Sequence, residues 1–195
     1  IALDTVPANK LEYIKDVAAS LITAGKFADA GKWYGKILTL KPNFGKVDMY
    51  YAGYNDYRGG NYKSADSVFS LYQSKFPEDA FGWYMGARAK EGIDTTSELG
   101  LAKPDYEKVI AISDTATDKA ALKTYLIPSY RYLVAYHYNI KHDKDSAILY
   151  NDKILVVDPT DATALKTKEA LSAVPKKPSA PATASPAKKE KEYLL

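Results

Sequence analysis

From Leu11 onward the chain carries a helical rhythm. Leu11, Ile14, Val17, Ala18, Leu21 and Ile22 recur at the i, i+3, i+4, i+7 spacing of one helix face, with Glu12, Lys15, Asp16 and Ser20 between them. Gly25-Lys26 breaks this helix. A second begins near Ala28, turns Ala30, Tyr34, Ile37 and Leu38 inward, and stops at Lys41, because the residue before Pro42 is pushed out of helical backbone. The next stretch follows the same plan, with a helix over 47–57, a turn at Gly59-Gly60-Asn61, a helix over 64–76 and then Pro77. Both stretches read as antiparallel helical hairpins.

The two hairpins are in register. Gly25 and Gly60, Phe27 and Tyr62, Ala30 and Ala65, Tyr34 and Phe69, and Pro42 and Pro77 are each separated by 35 positions. A period of that length identifies stacked hairpins, since one hairpin cannot bury its apolar face alone. Three of the pairings have a plain physical reason. Alanine lets two helices cross closely, the aromatic one turn later is a knob for the neighbouring hairpin, and proline stops the helix. A looser third unit opens with Trp83, Gly86 and Ala87 and continues with Ala102, Tyr106 and Val109, at a step of 37 from Ala65 to Ala102. It lacks the closing proline and has the polar run 113–118 in its place. A fourth, at a step of 45 from Ala102 to Ala147, is expected to hold one long helix over 118–142, kinked or restarted at Pro128, and a second helix over 146–157.

These small-residue, aromatic and proline slots resemble the tetratricopeptide repeat of bacterial proteins. The resemblance covers residues 11–173 and implies an all-α, right-handed α-α superhelix, or solenoid. Its units fall near 11–45, 46–79, 80–117 and 118–160, with a capping helix over 161–173. Pro7 lies 35 positions before Pro42, so residues 1–10 read as the end of a preceding repeat or a linker. Residues 174–195 shift to Pro, Ala, Ser and Lys, a composition expected to form a disordered tail and tether.

Charge narrows the choice of partner. The formal net charge is +3, but residues 174–195 hold five Lys and two Glu; removing these from 27 basic and 24 acidic residues leaves 22 of each. A balanced body argues against nucleic-acid binding, whose affinity comes mostly from neutralised phosphates. With no cysteine, disulfides, thiolate metal sites and cysteine nucleophiles are excluded. No apolar run approaches the roughly 20 residues that cross a bilayer. The chain begins at Ile1 rather than Met, so an upstream signal or domain is allowed, and an exported, periplasmic setting is favoured over the cytoplasm.

The resemblance also implies where binding occurs, since the first helix of each hairpin lines the concave face. Carrying Lys15 along the repeats gives Tyr50, Tyr84 and Tyr132. The next turn gives Ala19, Tyr54, Arg88 and Tyr136, and the one after it Ile22, Tyr57, Glu91 and Asn139. Lys15, Tyr50, Tyr54, Tyr57, Tyr84, Arg88, Tyr132 and Tyr136 are therefore the expected ligand-binding groove. A tyrosine presents a flat apolar ring and a hydroxyl at small entropic cost, which suits stacking on a peptide, a proline-rich segment or a sugar face. The alternative is that the rings pack between helices. Lys15 and Arg88 are the only cations in these rows, too few for the carboxylate clamp of some family members.

Other candidate chemistry is thin. His137 and His142 lie five apart, about 140° around a helix, and do not form an i, i+4 metal pair. The run 142–145, His-Asp-Lys-Asp, reads as a solvated turn. Asp4-Thr5-Val6, Asp66-Ser67-Val68 and Asp145-Ser146-Ala147 resemble an acceptor pattern for O-linked glycans and equally a helix cap. No nucleophile, base and acid stand together, so no enzyme, cofactor or metal site is expected. The expected function is a non-catalytic scaffold that holds a peptide or protein segment. The alternatives are a structural or assembly module of a larger envelope protein, with an upstream domain or self-association, and a carbohydrate-binding array.

Overall fold

The computed structural model describes residues 8–118 and 120–172. Among them the chain is all-α. Its helices are α1 (Ala8–Thr23), α2 (Phe27–Leu40), α3 (Lys46–Arg58), α4 (Tyr62–Lys75), α5 (Ala80–Ile93), α6 (Lys103–Thr115), α7 (Lys123–Ala135), α8 (Lys144–Val157) and α9 (Ala162–Ser172). Each packs on the one that follows it, and the core is a series of seams rather than one centre. The expected tail, the first seven residues of the segment 1–10 expected as a remnant or linker, and the Asp4-Thr5-Val6 pattern lie outside the described residues, whereas residues 8–10 open α1.

The repeat slots explain this stacking. Ala30, Ala65, Ala102 and Ala147 are all buried where the helices approach. The aromatic that follows each of the first three fills the seam to the next hairpin. Tyr34 packs with Ile14, Ala18 and Ala52, Phe69 with Met85 and Ala89, and Tyr106 with Ala87 and Leu133. Gly25 and Gly60 take φ of 72° and 78° at equivalent turns, where a side chain would be strained. At Gly53 close packing is the reason instead, because an added Cβ would stand 2.9 Å from the Phe69 ring.

Polar groups cross two of the seams. Gln73 Nε2 donates to the Gly82 carbonyl and to Asp105 Oδ2, and Lys90 Nζ donates to the same carboxylate oxygen at 2.6 Å, tying α4, α5 and α6 together. Asp79 caps α5 by accepting from the Phe81 amide and also accepts from the Tyr72 hydroxyl and from Lys46. The longer third turn is organised by the buried Asp94, whose carboxylate accepts from the Leu99 and Leu101 amides.

The fourth hairpin departs from its expected form. Instead of one long helix over 118–142, a 3₁₀ turn (Ala120–Leu122) leads into α7, which continues as a π-helical turn (Tyr136–Ile140). Pro128 sits inside α7. In the π turn the Lys141 amide reaches the Tyr136 carbonyl, accommodating one more residue per turn than an α-helix. His142 then adopts φ 52° and Asp143 caps α8 through the Ser146 amide, so the 142–145 run includes a helix cap.

Candidate functional site: an aromatic strip on the first helices

The first helices α3, α5 and α7 share a connected aromatic strip that is partly exposed, with Tyr54, Phe81 and Tyr84 also packing against the buried cluster around Phe69 and Met85. Tyr54 stacks on Tyr50 at 5.3 Å with an interplanar angle of 13°. Tyr50 meets Phe81 at 5.5 Å, Phe81 meets Tyr125 at 6.4 Å, and Tyr125 meets Tyr84 at 5.1 Å. Five rings thus span the second, third and fourth hairpins. Tyr50 is 36% exposed, and the other four are partly buried. Backbone geometry accounts for the strip. Residues 50 and 54, and 81 and 84, are one helical turn apart, so each pair stands on one face of its helix.

Arg88 borders the strip. Its Nη2 donates to the Tyr57 hydroxyl at 2.7 Å and its Nε lies 3.3 Å from Glu91. Burial raises the Glu91 carboxyl above its ordinary value against the opposing pull of Arg88 and Tyr106. Burial also raises the Tyr50, Tyr84 and Tyr125 hydroxyls, and neighbouring Tyr groups add to the rise. Tyr50, Tyr84 and Tyr125 therefore keep their hydroxyl protons through the neutral range and offer uncharged donors beside apolar ring faces.

The residues expected from the sequence divide into two sets. Tyr50, Tyr54, Tyr57, Tyr84 and Arg88 come together across α3 and α5. Lys15 is exposed on α1, outside the chain of ring contacts. Tyr132 and Tyr136 are only 8% and 6% exposed. Tyr132 lies 4.8 Å from Tyr106 and 6.0 Å from Tyr136, inside the seam between the third and fourth hairpins. The open face of α7 belongs instead to Arg131 and Ala135, with Tyr138 just beyond. The long step into this hairpin and the π turn shift the register, so counting repeats lands on the seam.

Phe81 and Tyr125 join the strip although repeat counting did not find them. Phe81 had a signal, since it lies one turn before Tyr84 on the same helix. Tyr125 had none, because its helix starts after an irregular connection. Among the described residues no three His, Asp or Glu side chains converge as a metal site would require. His137 packs between the rings of Tyr136 and Tyr150, with Asp143 3.5 Å from its Nδ1.

Comparison with known proteins places this architecture. The chain is 28% identical to the C-terminal part of a TPR repeat-containing protein from Cytophaga hutchinsonii, and the two structures agree with a TM-score of 0.72 over 82% of this chain. The chain resembles the tetratricopeptide repeat proteins. The match spans 60% of the other chain's length. No protein-family model matches the chain, and neither does any curated protein. The tetratricopeptide architecture is that of a protein-interaction scaffold, one that presents an extended surface and is typically non-catalytic. No described helix of this tetratricopeptide-like array is long and apolar enough to cross a membrane.

Proposed function

We propose that the protein is a non-catalytic scaffold whose aromatic strip holds an extended peptide segment of a protein partner. The observation that carries this reading is the unbroken contact of Tyr54, Tyr50, Phe81, Tyr125 and Tyr84 across three first helices. Rings that pack only within seams would be covered. These remain partly open, with hydroxyls available to a peptide backbone. The repeating units are the hairpins α1–α2, α3–α4, α5–α6 and α7–α8, with α9 as a cap. The balanced charge of the body favours a protein over a nucleic acid. Arg88 is already engaged by Tyr57 and Glu91, so recognition rests on ring contact rather than on capture of an anionic end.

Selection of displayed peptides against the full chain, followed by calorimetric titration, tests the reading. Selected peptides should carry proline or aromatic residues, and the double variant Tyr50→Ala with Tyr54→Ala should weaken their binding about ten-fold or more while the melting temperature changes little. Unchanged binding in the variant, together with a lower melting temperature, would assign the rings to packing.

A further inference from the structure

The fourth hairpin breaks the knob rule. In the first three, the residue four after the buried alanine is aromatic: Tyr34 after Ala30, Phe69 after Ala65, Tyr106 after Ala102. After Ala147 the same slot holds Asn151. Beside that slot, between α7, α8 and α9, the structure has a half-open cavity of about 350 Å³, lined inside by Val134, Ile154, Ala164 and Leu171 and rimmed by the exposed Arg131 and Tyr138. Asn151 lines it and is 2% exposed, and its Nδ2 donates to the Ala164 carbonyl at 3.0 Å. One N–H of this amide is thus engaged, and its second N–H and its oxygen make no other hydrogen bond among the described residues. A half-open, largely apolar cavity with a buried amide side chain at its base suits a phenol, whose ring covers the apolar wall and whose hydroxyl meets the amide.

We infer that this cavity is a phenol site and that its occupant is Tyr193 of the same chain. Tyr193 is the only aromatic residue after Ser172, and Leu194 and Leu195 follow it, giving an apolar cluster at the end of an otherwise polar, Pro-rich stretch. The tether is favourable. Leu171 forms part of the cavity wall, and Tyr193 lies 21 positions beyond Ser172. A random-coil linker of that length would span about 25 Å root mean square, longer where proline extends it, and would hold its end at about millimolar effective concentration. An outside phenol must compete with that.

The test uses the full, isotopically labelled chain, the variants Tyr193→Ala and Asn151→Phe, and p-cresol as the probe. In the wild type, nuclear Overhauser contacts are expected from the Tyr193 ring to the methyl groups of Val134 and Leu171, and Asn151→Phe, which fills the slot, should abolish them. p-Cresol should shift those methyl resonances in Tyr193→Ala at a several-fold lower concentration than in the wild type. The tail substitution does not touch the core, so this arm stands even if Asn151→Phe fails to fold. Absence of the Tyr193 contacts, their survival in a folded Asn151→Phe, equal p-cresol response in wild type and Tyr193→Ala, or no response in either, would each overturn the inference.

Discussion

The second and fourth hairpins are built from the same slots and end differently. Ala65 and Ala147 are both fully buried and both admit a close helix crossing. Four residues later, Phe69 is fully buried in a seam so tight that Gly53 has no room for a Cβ, whereas Asn151 lines a half-open cavity. The alanine therefore sets the approach of the helices, and the aromatic sets whether the seam is filled. A repeat can lose its knob and keep its stacking, because the backbone path is held by helix contacts on either side.

The largest effect that would sharpen this comparison is expected at Phe69. Phe69→Ala should cost about 3–5 kcal/mol, through lost burial and the cavity left behind, measured by urea unfolding. A loss no larger than that of Asn151→Ala would mean that the seams are equivalent and the knob is not what distinguishes them. Next comes the cap of α5. Asp79→Ala removes a cap for the Phe81 amide and the acceptor of the Tyr72 hydroxyl, with an expected cost of about 1–2 kcal/mol at neutral pH.

That cost should depend on pH. Burial by itself would raise the Asp79 carboxyl, but the hydrogen bonds from Lys46, Tyr72 and the Phe81 amide outweigh it and hold the group below its ordinary value. A folded-state value lowered in this way contributes stability that is present above the unfolded carboxyl value, about 3.9, and is lost as pH falls through the folded one. Thermal melts between neutral pH and pH 2 should therefore show wild type and variant converging below about pH 4. A gap that stays constant through that range would assign the effect to helix geometry rather than to charge.

The smallest effect belongs to the fourth hairpin. Asn151→Ala removes one hydrogen bond to the Ala164 carbonyl from a seam that is already open, at an expected cost of about 1 kcal/mol. A loss as large as that of Phe69→Ala would show that the amide, and not the surrounding helices, holds α9 in place.

Much of this fold was legible in the sequence, for reasons tied to particular residues. The step of 35 from Ala30, Tyr34 and Pro42 to Ala65, Phe69 and Pro77 reports a repeated packing problem solved twice in the same way. Where the step was constant, counting set Tyr50 and Tyr54 one turn apart on one helix face, where their rings stack. Where the step lengthened to 45, counting failed. Tyr132 and Tyr136 lie in a seam because a π turn and an irregular entry rotate the helix relative to its predecessors, and no local pattern records that rotation. Asn151 was visible as a departure from the Ala-plus-four rule, but a departure in sequence does not say whether neighbours close the gap.

By itself the sequence determined the helical class, the hairpin period and the slots that pack, because helix periodicity, small-residue crossings and proline stops act within a few residues or at a constant interval. Only the tertiary structure decided which rings stay open and which seam is hollow. Those properties depend on how each helix is rotated and spaced against helices from other repeats, which is fixed by the sum of many contacts and not by any one stretch of chain.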